Sequence, residues 1–358
     1  GGFLASNYDL TYVAGDLVVD QRNVTVTASP QAKSYGDVLD LSSNVSETAF
    51  TILDNGLTDN GLTDGGDAAL PNGETIRTVS LQSVLPVDVA ASTTESIGTY
   101  SDELRATGVT GGGGFDVNNY NLSFVDGDLV VYARPITLTP DGQAKQYGDV
   151  LPLGTTAFTV LDNGLTDGGD AALPNGEQID TVVLVSANGS AASTDDDVAT
   201  YSDNISIDSN AFDNTNGSNG FVESNYDVTF ATGDLIIDQR QVELIAGRQE
   251  KFYGDALDLD DTNFTVVDQG DALDSALPNG EEVTNVTIGS TNGIATSTTA
   301  ATSLYSNEID IGSVVTGTPG TGDGFRESNY DITYTSGDVL VNPRPITVTP
   351  TQQEKIYG

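Results

Sequence analysis

Apolar and polar positions alternate along short stretches of the chain. In residues 8–12, Tyr8, Leu10 and Tyr12 alternate with Asp9 and Thr11, the period-2 signature of a half-buried β-strand. A turn at Gly15, where positive φ is free, leads to a return strand over Leu17–Val19. The stretches "NVTVT" at 23–27, "PITLT" at 135–139, "QVELI" at 241–245 and "PITVT" at 345–349 alternate in the same way. No stretch sustains apolar residues at i, i+3, i+4 and i+7, and the alternating segments are rich in Thr, Val, Ile and Tyr, which favour strands. The pattern predicts an all-β protein.

The strands recur in a fixed order. The Tyr of an Asn-Tyr pair falls at Tyr8, Tyr120, Tyr226 and Tyr330, at steps of 112, 106 and 104 residues, and the Tyr of a Tyr-Gly pair falls at Tyr35, Tyr147, Tyr253 and Tyr357 with the same steps. Between them lie "DAALPNGE" at 67–74 and 170–177 and "DSALPNGE" at 274–281, then "TYSDEL" at 99–104, "TYSDNI" at 200–205 and "LYSNEI" at 304–309. Units of this length are whole domains in tandem rather than the short units of a solenoid. Two phases fit. Gly- or Asn-rich stretches at 107–114, 214–220 and 316–324 read as linkers, with domains starting at Phe115, Phe221 and Phe325. Alternatively the boundaries fall at "DQRN", "YARP", "DQRQ" and "NPRP", short strand-to-strand junctions that make stiff hinges where a Gly-rich loop would be floppy.

Composition narrows the function classes. Against 53 Asp and Glu stand 12 Lys and Arg, a formal net charge of −41 over 358 residues. A surface this negative repels phosphates and argues against nucleic acid, and it keeps the chain soluble and self-repelling. Cys, His, Met and Trp are absent. That inventory excludes disulfides, thiolate or imidazole metal sites and Ser-His or Cys-His dyads, and it suits a long-lived extracellular polymer. No apolar run approaches the ~20 residues of a membrane-spanning helix.

Candidate chemistry is confined to a few positions. The Asp-rich loops before "LPNGE" offer carboxylates spaced by Gly, which Ca²⁺ with its six to eight oxygen ligands could use. Asp162, Asp167 and Asp170 form one such set, and Asp268, Asp271 and Asp274 the other. The strict EF-hand spacing is absent, and the alternative is a solvated acidic loop. The only lysines, Lys33, Lys145, Lys251 and Lys355, each stand two before the Tyr of a Tyr-Gly pair. With Asn7, Asn119, Asn225 and Asn329 they could form isopeptide cross-links; the plainer role is an ion pair or a Lys stem over a ring. Gly36, Gly148 and Gly254 are expected in turns needing positive φ, followed by Asp37, Asp149 and Asp255 as local acceptors. A chain that repeats every feature in each unit argues against an enzyme, which needs one optimised pocket.

The order R-x-[IV]-T-[VL]-T, K-x-Y-G-D, L-P-N-G-E, T-Y-S-D and N-Y-D-x-T-Y-x-x-G-D-L-x-V resembles the YDG/MBG-type repeats of giant bacterial surface proteins, adhesins of the filamentous-haemagglutinin kind among them, over nearly the whole chain. The resemblance implies repeats at 22–133, 134–239 and 240–343, with 1–21 closing a preceding repeat and 344–358 opening a following one. The expectation is a rod-shaped tandem array of small β domains, each an immunoglobulin-like sandwich or a β-grasp-like sheet, at the cell surface or outside the cell. Its partners would be neighbouring repeats and other copies in a fibre, and Ca²⁺ its only candidate cofactor. The array would act as a structural extender carrying a distal binding domain. The alternatives are repeats that bind glycan or matrix ligands themselves, or that polymerise by strand complementation.

Overall fold

The computed structural model describes residues 1–41, 49–54, 70–84, 88–164, 172–270, 276–315 and 324–358. Among these residues the fold is all-β, with helical structure only as three-residue 3-10 turns. Residues 22–133 contain β1 (Arg22–Ala28), β2 (Gln31–Ser34), β3 (Phe50–Asp54), β4 (Thr75–Ser83), β5 (Gly98–Gly112), β6 (Tyr120–Val125) and β7 (Gly127–Tyr132). The middle repeat contains β8 (Arg134–Pro140), β9 (Gln143–Gln146), β10 (Phe158–Asp162), β11 (Gln178–Ile179), β12 (Leu184–Ser186), β13 (Ala199–Ile207), β14 (Gly217–Ser218), β15 (Tyr226–Phe230) and β16 (Gly233–Asp238). The third contains β17 (Arg240–Ala246), β18 (Gln249–Phe252), β19 (Phe264–Asp268), β20 (Asn285–Ser290), β21 (Leu304–Val315), β22 (Tyr330–Thr335) and β23 (Gly337–Asn342).

One topology serves all three. The first repeat has sheets β3-β1-β6 and β2-β7-β5-β4, and the third has β19-β17-β22 and β18-β23-β21-β20. The middle repeat follows the same two orders, with an added β11-β14 pair. The first two strands of a repeat pair in parallel with its last two: Arg22 opposite Tyr120, and Gln31 opposite Leu129. The third repeat does the same, Arg240 opposite Tyr330 and Gln249 opposite Val339. The alternation read from the sequence faces inward as expected: Val24, Val26 and Ala28 of β1 are buried together with Leu104 of β5 and Leu129 and Val131 of β7. In the third repeat Val242, Leu244, Ile309, Val339 and Val341 take those places. The result is a β-sandwich-like arrangement of mixed sheets.

The chain divides into two compact units. One comprises Gly1–Thr137, Val160–Asp180 and Asp213–Thr229, and the other Leu138–Thr159, Thr181–Phe212 and Phe230–Gly358.

Three local expectations are corrected. The segment before Gly-Asp and the strand after it do not form a hairpin. β6 joins the sheet of β1, while β7 joins the sheet of β5, so the chain changes layers at Gly127. A Cβ there would stand 2.4 Å from the Ala28 carbonyl oxygen, and 2.6 and 2.5 Å from the equivalent oxygens at Gly233 and Gly337; only glycine admits that approach. The Gly-rich stretch after Ala106 is not a linker either. Residues 107–112 continue β5, and the glycine at 111 makes room for the Phe115 ring, as Gly217 does for Phe221. Finally, residues 8–20 form no strand. Leu17 and Val19 are 89% and 85% exposed, whereas their counterparts Leu129 and Val131 are 0% and 2% exposed. β6 and β7 themselves pair in parallel with β1 and β2, roughly a hundred residues earlier in sequence.

Replacing Gly337 by Ala is expected to destabilise the chain by about 1–3 kcal/mol through overpacking against the Ala246 backbone, read as a lower denaturant midpoint with unchanged m.

Candidate functional site: a buried arginine joint

The most elaborate polar cluster is built twice, once inside each compact unit, where the Tyr-Gly-Asp turn of one repeat meets the start of the next. In the first unit, Arg134 opens β8 with a single residue, Ala133, between it and the end of β7. Its Nε donates to both oxygens of Asp162, at 2.8 Å each, and its Nη1 donates to the Tyr35 carbonyl at 3.2 Å and to Asp37 Oδ1 at 2.7 Å. Arg240 in the second unit repeats this with Asp268 at 2.9 Å, the Tyr147 carbonyl at 3.2 Å and Asp149 at 2.7 Å. Both guanidinium groups are almost fully buried, with 3% and 5% side-chain exposure. A buried charge is tolerated only when paired and hydrogen-bonded, and here each arginine holds one carboxylate from its own repeat and one from the repeat before.

Beside each arginine stands a glutamate shared by two tyrosines. Glu177 accepts the Tyr35 hydroxyl on one oxygen and, at 2.7 Å, the Tyr226 hydroxyl on the other. Glu281 accepts from Tyr147 at 2.5 Å and Tyr330 at 2.6 Å. The rings of each pair meet edge to face at 5.6 Å, the arrangement their quadrupoles favour. Burial, then the hydrogen bond to the glutamate, pushes the Tyr35 and Tyr147 hydroxyls up to about 12; the same causes raise Tyr226 and Tyr330 further.

Sequence words acquire physical reasons here. In "LPNGE" the Leu is buried, and the Pro ring packs on the Tyr-Gly-Asp turn so closely that a Cβ on Gly36 would stand 2.5 Å from Pro174, and one on Gly148 2.4 Å from Pro278. Asn175 and Asn279 take φ of 59°, a left-handed conformation that Asn tolerates, and donate to the carbonyls of Thr93 and Thr194 at 2.9 and 2.8 Å. The Glu completes the tyrosine bridge. The Gly-Asp and Tyr-Ser-Asp boxes also lock together: Asp128, Asp234 and Asp338 accept the backbone N–H of Asp102, Asp203 and Asn307 at 3.1, 3.0 and 3.1 Å, where φ is 55–56°.

The three turn-forming expectations at Gly36, Gly148 and Gly254 hold, with φ of 85°, 86° and 92°. Asp162 and Asp268, read as Ca²⁺ ligands, are 1% exposed and face the guanidinium groups of Arg134 and Arg240. The glycine two residues on belongs to the same clamp: Gly164 and Gly270 donate their N–H to Asp162 and Asp268 at 2.9 Å. The remaining expected ligands, Asp167, Asp170, Asp271 and Asp274, lie outside the described residues. Among the described residues no group of three or more Asp, Glu, His or Cys side chains is placed to hold a metal ion.

Lys33, Lys145 and Lys251 hydrogen-bond to backbone carbonyls. Lys33 donates to the carbonyls of Val89, Ala90 and Ser92, Lys145 to those of Ser190, Ala191 and Ser193, and Lys251 to those of Ile294, Ala295 and Ser297. Each is buried and ties one turn to the neighbouring strand through all three of its donors. Asn225 and Asn329 instead accept the backbone N–H of Ile97 and Val198 in the preceding repeat, at 3.4 and 3.1 Å. Sequence reasoning missed the arginines and the glutamates. Their signal was present: an Arg at 22, 134, 240 and 344 and an invariant last letter of the "LPNGE" box.

No family model, curated protein or solved structure matches this chain.

Replacing Arg134 by Met leaves Asp162 buried without its cation and is expected to cost about 3–5 kcal/mol. Replacing Arg344, an exposed arginine at the same place in the repeat, is expected to cost about 0–1 kcal/mol; urea unfolding of both variants checks the contrast. The tyrosine shifts carry a pH signature. Because folding raises the Tyr35 hydroxyl from its ordinary value of 10.0 to about 12, its contribution is fully present below pH 10 and is lost as pH rises towards 12. Tyr35→Phe is therefore expected to flatten the alkaline loss of stability relative to the parent chain in unfolding curves taken across that window. Intact mass is expected to equal the full calculated value, with no ammonia lost to lysine cross-links.

Proposed function

We propose that this chain is a spacer: a segment of tandem β domains that acts as a structural extender in a large secreted bacterial adhesin or extracellular fibre, setting a distal binding domain away from the cell. The observation that carries the reading is the joint itself. A single residue, Ala133 or Gln239, separates the last strand of one repeat from the first strand of the next, and the same arginine, carboxylates, glutamate and tyrosine pair clamp both crossings. A one-residue connection with a buried clamp resists bending as a flexible linker would not.

The chemistry is the same at both crossings. The spacer reading thus needs no enzymatic activity, no nucleic acid and no cofactor. The acidic surface keeps repeats from collapsing on each other, and the lack of Cys and Met suits long exposure to oxidants. On this reading the repeats form a rod, with neighbouring repeats as its principal partners.

Small-angle scattering on chains of increasing repeat number is expected to give a maximum dimension rising in proportion to that number. A maximum dimension growing as for freely jointed beads would overturn the reading, and glycan binding by a single repeat would replace it with a ligand-binding role. The melting temperature is expected to be unchanged by a chelator, since bound Ca²⁺ would otherwise add stability by mass action.

A further inference from the structure

We propose that each repeat is built to withstand tension along the chain, its first two and last two strands forming a clamp that is loaded in shear. The inference rests on the spacer reading, since a segment between a surface and a distal domain is pulled whenever that domain holds its target. It adds the force that the repeats resist.

The clamp is read from strand direction. In the first repeat Arg22–Thr27 of β1 lie parallel to Tyr120–Val125 of β6, and Gln31–Ser34 of β2 lie parallel to Leu129–Tyr132 of β7. The offset in sequence is the same on both ladders, so residues 22–34 and 120–132 run in step through both sheets. A single residue, Asp126, joins β6 to β7, too short a link for the chain to turn back between layers that pack about 10 Å apart. The two segments change layer together: Ala28 ends β1, and its carbonyl oxygen is the atom that a Cβ on Gly127 would meet. The chain therefore enters the repeat beside Tyr120 and leaves it beside Ser34, at opposite ends of one paired stretch.

Pulling on those two ends drives the segments past each other. Ladder hydrogen bonds run between the strands, so tension along the strands loads them all together, whereas tension across a ladder opens them one after another. Neither segment lies free at an edge: β1 sits between β3 and β6, and β7 between β2 and β5. The third repeat has the same arrangement, with Arg240–Ile245 in step with Tyr330–Thr335 and Gln249–Phe252 with Val339–Asn342. The joint brings the tension to this clamp. The Tyr35 N–H donates to the Tyr132 carbonyl at 2.9 Å, where β7 ends, and Arg134 of the next repeat holds the Tyr35 carbonyl and Asp37. Force from the following repeat thus arrives at the far end of the paired stretch.

The third repeat also offers a contrasting direction. Its edge strand β20 is antiparallel to β21, with Asn285 opposite Val315. Pulling at the exposed Thr284 and Val315 acts on one end of that hairpin, across its ladder. Forced rupture follows the unfolding rate and not the equilibrium stability, so comparing the two directions in one protein separates a shear clamp from mere stability.

Single-molecule force spectroscopy on the full chain makes the comparison. One variant, Gly1→Cys with Gly358→Cys, is pulled from its ends, and another, Thr284→Cys with Val315→Cys, is pulled across the hairpin. The chain has no cysteine of its own, so each variant has only its two handles. The expected result is that repeats pulled from the ends give way at forces several-fold above those that peel the hairpin at the same pulling speed, while the reduced variants melt as the parent does. Equal forces in the two directions overturn the proposal, as does end-to-end extension in which the repeats yield without a force peak. Either result leaves the spacer reading standing, because that reading is tested by the maximum dimension of the unloaded chain.

Discussion

A guanidinium group taken out of water is the constraint from which the rest of the architecture follows. Arg134 and Arg240 are buried, and a buried arginine cannot shed its proton. Each must therefore be surrounded by acceptors whose positions are fixed to within a hydrogen bond. Those acceptors come from two separate places: the strand after the Lys-x-Tyr-Gly-Asp turn of the same repeat, and the carbonyl and carboxylate of that turn in the repeat before. Satisfying one side chain thus fixes the register between a strand, a loop and the neighbouring repeat. The Pro ring packed on the turn and the glutamate shared by two tyrosines complete the same joint with apolar area and two further hydrogen bonds.

Arg134 and Arg240 each draw acceptors from both sides of a crossing, a carboxylate from a strand of their own repeat and a carbonyl and a carboxylate from the turn of the repeat before. Losing either side would leave a buried charge short of partners.

Within a repeat, the parallel pairing of the first two strands with the last two plays the corresponding role. It joins segments about a hundred residues apart, so a repeat closes on itself only when both ends are present. The similar words at 8–20 and 120–132 differ in outcome: the first set forms no strand, and the second forms β6 and β7.

Alternation, repeat spacing and the absence of helical periodicity determined the all-β class, the length of the repeat and the turns at Gly36 and Gly148, because these depend on neighbours in sequence and on the conformational freedom of glycine. Gly111 and Gly217 were legible but their role was not: composition cannot distinguish a glycine that loosens a linker from one that admits a phenylalanine ring. Asp162 and Asp268 were legible as special, but their pairing with a guanidinium was not, since a carboxylate serves a cation or a guanidinium equally well until its partner is located. That partner lies 28 residues earlier in sequence for both, and for Glu177 one of the two tyrosines lies 142 residues away. Contacts at such separations carry no local periodicity, so only the folded chain could assign them.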